Sequence, residues 1–282
     1  MSEVHACKSC GAPVAGRFCA ACGEKVLTPD DHTLKHYLGA LLNAFTFVEG
    51  KFWNTLKAVV LRPGELSAAY MDGRRVKYMR PVAFFFLANF IYFAVPLFET
   101  FNTRLNSQLH NQQYSGWAQR KVEAHLAESG RTLEGFKVLY EPASANNAKL
   151  LLVTMVFLLL LPMSVLYLLK RKYVSAYVTA SFELMSFYLW VATLALGVIT
   201  FTVLTVQQAM GTTVADGSVD ELLSVPLVLL HFWVTIGIGR RFFGCTWLGA
   251  AWRAAAMLFG LQLALSAYRL LLFLATMWSI NA

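Results

Sequence analysis

Leu150-Leu151-Leu152-Val153-Thr154-Met155-Val156-Phe157-Leu158-Leu159-Leu160-Leu161 is apolar on nearly every side of the helix it would form. A helix without a polar face has no side to turn to water, so it belongs in a membrane or deep in a large core. Composition decides for the membrane. Hydrophobic residues make up 57% of the 282 and charged residues 14%, where a soluble domain carries about a quarter charged. Mean hydropathy is +0.52. Extended outward, the run becomes a candidate span from about Ala148 to Leu169. Further candidates run from about Val82 to Phe101, Phe182 to Val206, Leu222 to Gly239 and Trp247 to Trp278. Each approaches or exceeds the ~20 residues that carry a helix across ~30 Å of hydrocarbon.

The basic residues orient these spans. Arg74, Arg75, Lys77 and Arg80 precede the first, Lys170, Arg171 and Lys172 follow the second, and Arg240 and Arg241 follow the fourth. With five spans, all three clusters fall on one side. The opposite short loop, Gln207 to Glu221, has no lysine or arginine and holds Asp216, Asp220 and Glu221. The positive-inside rule places the clusters and the N-terminus in the cytoplasm. The loop 102–147 then lies outside, as a small helical excursion of mixed charge, and so does the C-terminus. The net charge of +8 thus sits beside apolar spans and reads as a membrane-surface signal.

Upstream of the spans stand Cys7-x-x-Cys10 and Cys19-x-x-Cys22, each pair followed by a glycine, Gly11 and Gly23. Thiolates two residues apart reach one tetrahedral ion, and the glycine lets the knuckle backbone turn tightly. The spacing predicts a structural Zn2+ held by these four cysteines, with His5 and His32 left out. The competing reading is a pair of disulfides in a secreted domain. It conflicts with the short polar stretch Met1 to Ala6 and with the lack of any spanning run before Val82, which argue for a reducing compartment. Zinc would supply the folding free energy of so short a segment, either as its whole role or alongside recognition of a partner. Lys8, Arg17 and Lys25 against Glu24 make a thin footprint for nucleic acid. Cys245, isolated later in the chain, reads as a small packing residue.

Between ribbon and first span, Leu34, Leu38, Leu41, Leu42, Phe45, Val48, Phe52, Leu56, Val59 and Val60 recur at three- and four-residue steps. That is one apolar helical face, lying in the inner headgroup layer or packed on the membrane bundle. Arg62-Pro63-Gly64-Glu65 ends it. A short helix from Glu65 to Met71 follows and closes at Asp72-Gly73. The chain therefore divides into a cytoplasmic zinc ribbon (1–28), interfacial helices with a basic juxtamembrane segment (29–80), and a transmembrane domain (81–282). The fold class is mainly α: a polytopic helical membrane protein of about five spans with a small N-terminal zinc ribbon.

Several of these stretches together resemble the domain of unknown function 3667 family. They are Cys22-Gly23-Glu24, Thr55-Leu56-Lys57, Leu61-Arg62-Pro63-Gly64-Glu65, Tyr70-Met71-Asp72-Gly73-Arg74-Arg75, Tyr78-x-x-Pro81, and Arg240-Arg241-Phe242-Phe243-Gly244 with Trp247 and Trp252. The resemblance implies a bacterial inner-membrane protein with an N-terminal zinc ribbon, and no particular activity. In that family histidines sit around the start of the third span; Tyr173 to Phe187 here has none.

Four polar residues fall inside the spans: Glu183, His231, Arg253 and Arg269. Each is expensive in lipid and so faces protein or reaches a headgroup. Glu183 and Arg253 both belong near cytoplasmic ends and are expected to pair, as an orienting ion pair in preference to a transport element. His231 reads as a packed, hydrogen-bonded residue, and Arg269 as an outer-leaflet cation. H-E-x-x-H, G-x-S-x-G and an intramembrane aspartate pair are missing from the sequence, which argues against an enzyme. The reading that follows is a non-enzymatic scaffold or regulatory protein whose ribbon binds a cytosolic partner. The alternative is a transporter or lipid-handling protein, although no inverted repeat or pair of broken helices supports transport.

Overall fold

The computed structural model describes residues 5–7, 10–14, 20–21, 50–94, 101–168, 170, 173–209 and 218–281. The chain forms two compact units, residues 1–51 and 52–282. In the first, strand β1 (His5–Ala6) pairs antiparallel with β2 (Pro13–Val14), His5 opposite Val14 and Ala6 opposite Pro13. Cys7 and Cys10 lie between the two strands. The Gly11 N–H donates to the Cys7 carbonyl at 2.8 Å, and the Cys7 N–H donates to the Ala12 carbonyl at 2.8 Å. Gly11 has φ +74°, a conformation that a side chain would strain. Cys19, Cys22 and the apolar positions Leu34 to Val48 lie outside the described residues.

The second unit is helical throughout. Residues 52–61 lie on a helix (α1). Then come α2 (Glu65–Met71), α3 (Pro81–Ala94), α4 (Leu105–His110), α5 (Ser115–Ser129) and α6 (Leu133–Leu166). After α7 (Val174–Phe187) the chain winds as a π-helix over Tyr188–Ala195 and returns to α in α8 (Leu196–Ala209). The unit closes with α9 (Ser218–Arg241) and α10 (Trp247–Asn281). The short helix expected at Glu65 to Met71 is α2, and Gly73 at φ +84° ends the turn behind it.

α10 packs along α6 and α9, α6 against α7, and α7 against α3. Small residues allow the closest approaches. A Cβ added at Gly260 of α10 would lie 2.7 Å from the Pro162 Cβ of α6. The main core gathers Phe84, Phe85, Leu152, Met155, Leu184, Phe187, Phe242 and Tyr268. A smaller core sits under α4 and α5, where Leu105, Leu109 and Val122 meet Phe136, Tyr140 and Phe273. Residues 102–147 are thus largely helical, and their last part is continuous with the apolar run, because α6 is a single helix of 34 residues.

Among the described residues two helices, α6 and α10, are long and apolar enough to cross a membrane, fewer than the five spans expected. α3 has fourteen residues before the described chain stops, and the third candidate is divided among α7, the π segment and α8. The final candidate is one continuous helix of 35 residues, with no re-entrant break. Large side chains remain uncovered along these helices, including Leu150 at 78%, Phe259 at 68% and Phe90 at 71% exposure.

Candidate functional site

Leu61-Arg62-Pro63-Gly64-Glu65-Leu66-Ser67 joins α1 to α2. The sequence forces a sharp joint here: Pro63 has no N–H to continue a helix, and Gly64 takes φ +90°. Gly64 is the N-cap of α2 and has no side chain with which to satisfy the first-turn N–H groups. Another helix supplies the acceptor. The Glu183 carboxylate of α7, fully buried, accepts the Gly64 N–H at 2.7 Å, the Ser67 N–H at 2.8 Å and the Ser67 hydroxyl. Ser67 stands three positions into the helix, where an N-cap side chain ordinarily bonds. A carboxylate there also meets the positive end of the helix dipole.

The expected Glu183–Arg253 pair does not form. Arg253 instead donates from Nε to the Leu166 carbonyl at 2.7 Å and from a terminal nitrogen to the Gly249 carbonyl at 2.8 Å. Its guanidinium lies 4.5 Å from the Trp252 ring centre and 5.7 Å from that of Tyr167. The reason is local. Gly64 and Ser67 offer three donors at the site of the carboxylate, while Arg253 finds carbonyls at the end of α6 and in its own first turn.

α9 holds the same joint from a second side, with residues four apart on one face. Trp233 donates its indole N–H to the Val60 carbonyl at 2.9 Å. Arg241 donates to the Pro63 carbonyl at 3.1 Å. Between them, Gly237 leaves room for the proline ring: a Cβ there would lie 2.9 Å from Pro63 Cβ. A Cβ on Gly64 would in turn lie 3.0 Å from the Ile238 Cα and 3.1 Å from the Gly237 carbonyl. Gly64 is therefore required twice, for its dihedral and for its closeness to α9.

The turn after α9 is an aromatic hub. Phe243 stacks on Tyr167 with centroids 4.1 Å apart and on Tyr177 at 5.6 Å. Cys245 is half-buried against the main core, and its N–H reaches the Gly239 carbonyl at 3.0 Å. His231 is buried and held at both nitrogens, at 2.7 Å by the Tyr188 hydroxyl and at 3.0 Å by the Ala254 carbonyl. A carbonyl only accepts, so Nε2 carries a hydrogen. Tyr188 is also where the π-helix begins.

Arg269 is tied to the α4 region. Its guanidinium reaches Gln112 Oε1 at 3.4 Å and its carbonyl accepts from Gln108 at 3.3 Å, both from the α4 region. Of the basic clusters, Arg74 pairs with Glu65 and Asp72 at 3.3 Å each. Arg75 covers the Tyr70 ring at 4.6 Å, and Lys77 lies 5.6 Å from that of Tyr78. Arg80, Lys170 and Arg240 are exposed, while Arg171 and Lys172 lie outside the described residues. Among the described residues no three metal-ligating side chains converge; of the four cysteines expected to hold zinc, only Cys7 and Cys10 are among them.

Trp233, Gly237 and Ser67 carry the joint without standing out in the sequence. Ile236-Gly237-Ile238-Gly239 was the available signal, since alternate glycines in an apolar helix mark close backbone approach.

The model of a family described as Protein of unknown function (DUF3667) matches residues 49–93. It covers α1, the joint, α2 and nearly all of α3, and so bears out the resemblance over that stretch. No curated protein and no solved structure matches the chain.

Proposed function

We propose that this chain is a multi-pass protein of the bacterial inner membrane, a non-enzymatic scaffold or regulatory protein whose N-terminal ribbon faces the cytosol and binds a protein partner. The carrying observation is the joint at Glu183. A carboxylate buried in an apolar bundle would suit proton or ion transfer, yet this one is committed to main-chain donors that fix a short helix. His231 is likewise held, by the Tyr188 hydroxyl and the Ala254 carbonyl, and Arg253 by the Leu166 and Gly249 carbonyls. Such an arrangement supports a static anchor better than a moving one.

The membrane reading is supported by burial. In the apolar windows of α6 and α10 only 28% and 33% of the residues are buried, whereas a core helix of a soluble protein would be mostly covered. On this reading the remaining spans take in α3, α7 through α8, and α9. The zinc reading is supported at the first knuckle, where the Cys7–Gly11 turn closes on itself between two strands. Cys7, Cys10, Cys19 and Cys22 would hold Zn2+, which folds a segment too small to have its own core.

The test is cross-linking of the full-length protein in its native membrane, wild type against a Cys19→Ser, Cys22→Ser variant, with metal analysis of both. One zinc per chain and a partner captured only by the wild type are expected. A wild type without metal removes the ribbon, and identical captures remove the partner role. Lipid handling is the second reading, favoured by a groove beside Arg240 and Arg241.

A further inference from the structure

A groove of about 750 Å³ runs along α9 into the turn before α10. One end is cationic and lined by Arg240 and Arg241, with Trp247 beside them. The wall leading away from that end is apolar and includes Leu229, Phe232 and Trp233. These side chains are open to the surroundings: Leu229 is 64% exposed, Trp233 51% and Trp247 57%.

We propose that this groove binds one acidic phospholipid of the cytoplasmic leaflet, its phosphate on Arg240 and Arg241 and an acyl chain along Leu229, Phe232 and Trp233. The length fits. From Leu229 to Arg240 the helix rises about 16 Å at ~1.5 Å per residue, most of the reach of an extended acyl chain. The charge fits as well. Arginine presents a planar fork that matches phosphate oxygens in pairs. Arg240 has no ion pair among the described residues, and Arg241 spends one N–H on the Pro63 carbonyl and keeps others. The lining residues include no acidic side chain, so no neighbouring carboxylate competes for the guanidinium groups. A zwitterionic headgroup would bring its own ammonium against two guanidinium ions. Trp247, which lines the groove with the two arginines, matches the preference of indole for the headgroup level.

The groove also shares residues with the joint. Trp233 and Arg241 bond Val60 and Pro63 on one side and line the groove on the other. A lipid seated there restrains the face of α9 that holds the start of α2, so occupancy and docking reinforce each other. The site rests on the membrane reading above and is independent of the scaffold role.

The experiment is native mass spectrometry of the full-length protein, stripped of lipid in detergent and titrated with phosphatidylglycerol or with phosphatidylcholine of the same chains. One phosphatidylglycerol is expected to stay bound under conditions that remove phosphatidylcholine. Arg240→Gln weakens it about fivefold, the loss of one cation near an anionic headgroup. Arg240→Lys keeps the charge but loses the planar fork, so it weakens binding less than Arg240→Gln does, and Trp247→Ala weakens binding in the same direction. Arg240 is exposed and its side chain has no hydrogen bond or ion pair among the described residues, so Arg240→Gln melts as the wild type does. Millimolar inorganic phosphate leaves the lipid in place, because the acyl contacts are missing from it. Equal retention of both lipids, an Arg240→Gln variant that binds as tightly as wild type, or displacement by phosphate each overturns the site. A chain that stays in solution without detergent would instead overturn the membrane reading.

Discussion

Glu183→Ala removes one acceptor and leaves buried donors on Gly64 and Ser67. At ~1–3 kcal/mol for each such group the variant loses about 3 kcal/mol or more. Glu183→Gln keeps one oxygen but turns an amide N–H toward a donor, a loss of about 2 kcal/mol. Ser67→Ala loses a hydroxyl while its N–H stays bonded, a loss of about 1 kcal/mol. Unfolding in mixed detergent micelles should give that order. A Ser67→Ala variant as damaged as Glu183→Ala would mean that the hydroxyl, and not the backbone, holds the carboxylate. This joint was only half legible in the sequence. Glu183 stands out as an acid in an apolar run, but two of its three donors are main-chain N–H groups, which no residue letter announces, and the third is the Ser67 hydroxyl. The eye therefore goes to Arg253, an opposite charge that also falls near the cytoplasmic end of its expected span. His231 was readable as a packed residue because one imidazole among apolar neighbours has two nitrogens to satisfy and no second ligand nearby.

α2 was legible to its ends, since Pro63, Gly64 and Gly73 each restrict the backbone locally. The face of α9 that receives it was not, because Gly237 matters only through what it leaves empty. Gly237→Ala places a methyl group 2.9 Å from the Pro63 ring carbon, and a helix-stabilising substitution becomes a loss of about 1–3 kcal/mol. Gly116 in α5 meets nothing within 4 Å. Gly116→Ala should therefore raise stability by about 0.5–1 kcal/mol. Melting temperatures that move in the same direction for both variants would undo the close-contact account. The α4–α5 element has a pH limit of its own. The Tyr114 hydroxyl donates to Gln108 at 2.5 Å, and burial pushes its pKa from 10 up to about 12, opposed by nearby Arg269. The folded state thus holds the phenol proton more tightly than the unfolded chain. Its contribution is intact below pH 10 and falls away as pH rises from 10 toward 12. Hydrogen exchange of residues 105–129 should accelerate in that window, and Tyr114→Phe should flatten the change. Acceleration that is identical in Tyr114→Phe places the alkaline weakness elsewhere.

For the whole chain, the proposed five-span reading assigns a side to every loop. Single cysteines at Lys8, Arg171 and Arg240 should be reached only from the cytoplasmic side, and those at Gln119, Asp216 and Ala282 only from outside. The continuous α10 sharpens the last of these, because an unbroken helix of 35 residues ends far from where it starts. Labelling of Ala282 and Arg240 from the same side would remove one crossing. Hydropathy gave the long helices but not the full set of packed segments, for a physical reason. Apolarity says that a stretch avoids water. Whether it meets lipid or protein depends on neighbours: α7 is covered almost everywhere by α3, α6 and the joint, while one side of α6 stays bare. The π-helix from Tyr188 was invisible for the same reason, since Tyr188 and His231 meet only once the helices are assembled.

A joint made mostly by a carboxylate on main-chain groups leaves little signature in its partner's alphabet beyond the hydroxyl at Ser67. The positions facing Glu183 answer to shape and dihedral angle, so an acid at 183 has no base that must change in step with it. Among related chains, a search for positions that drift together would pass over this contact. It would register pairs such as 63 with 237, where the volume of one residue limits the other. Contact maps inferred from covariation would then show α2 resting on α9 and miss what ties it to α7.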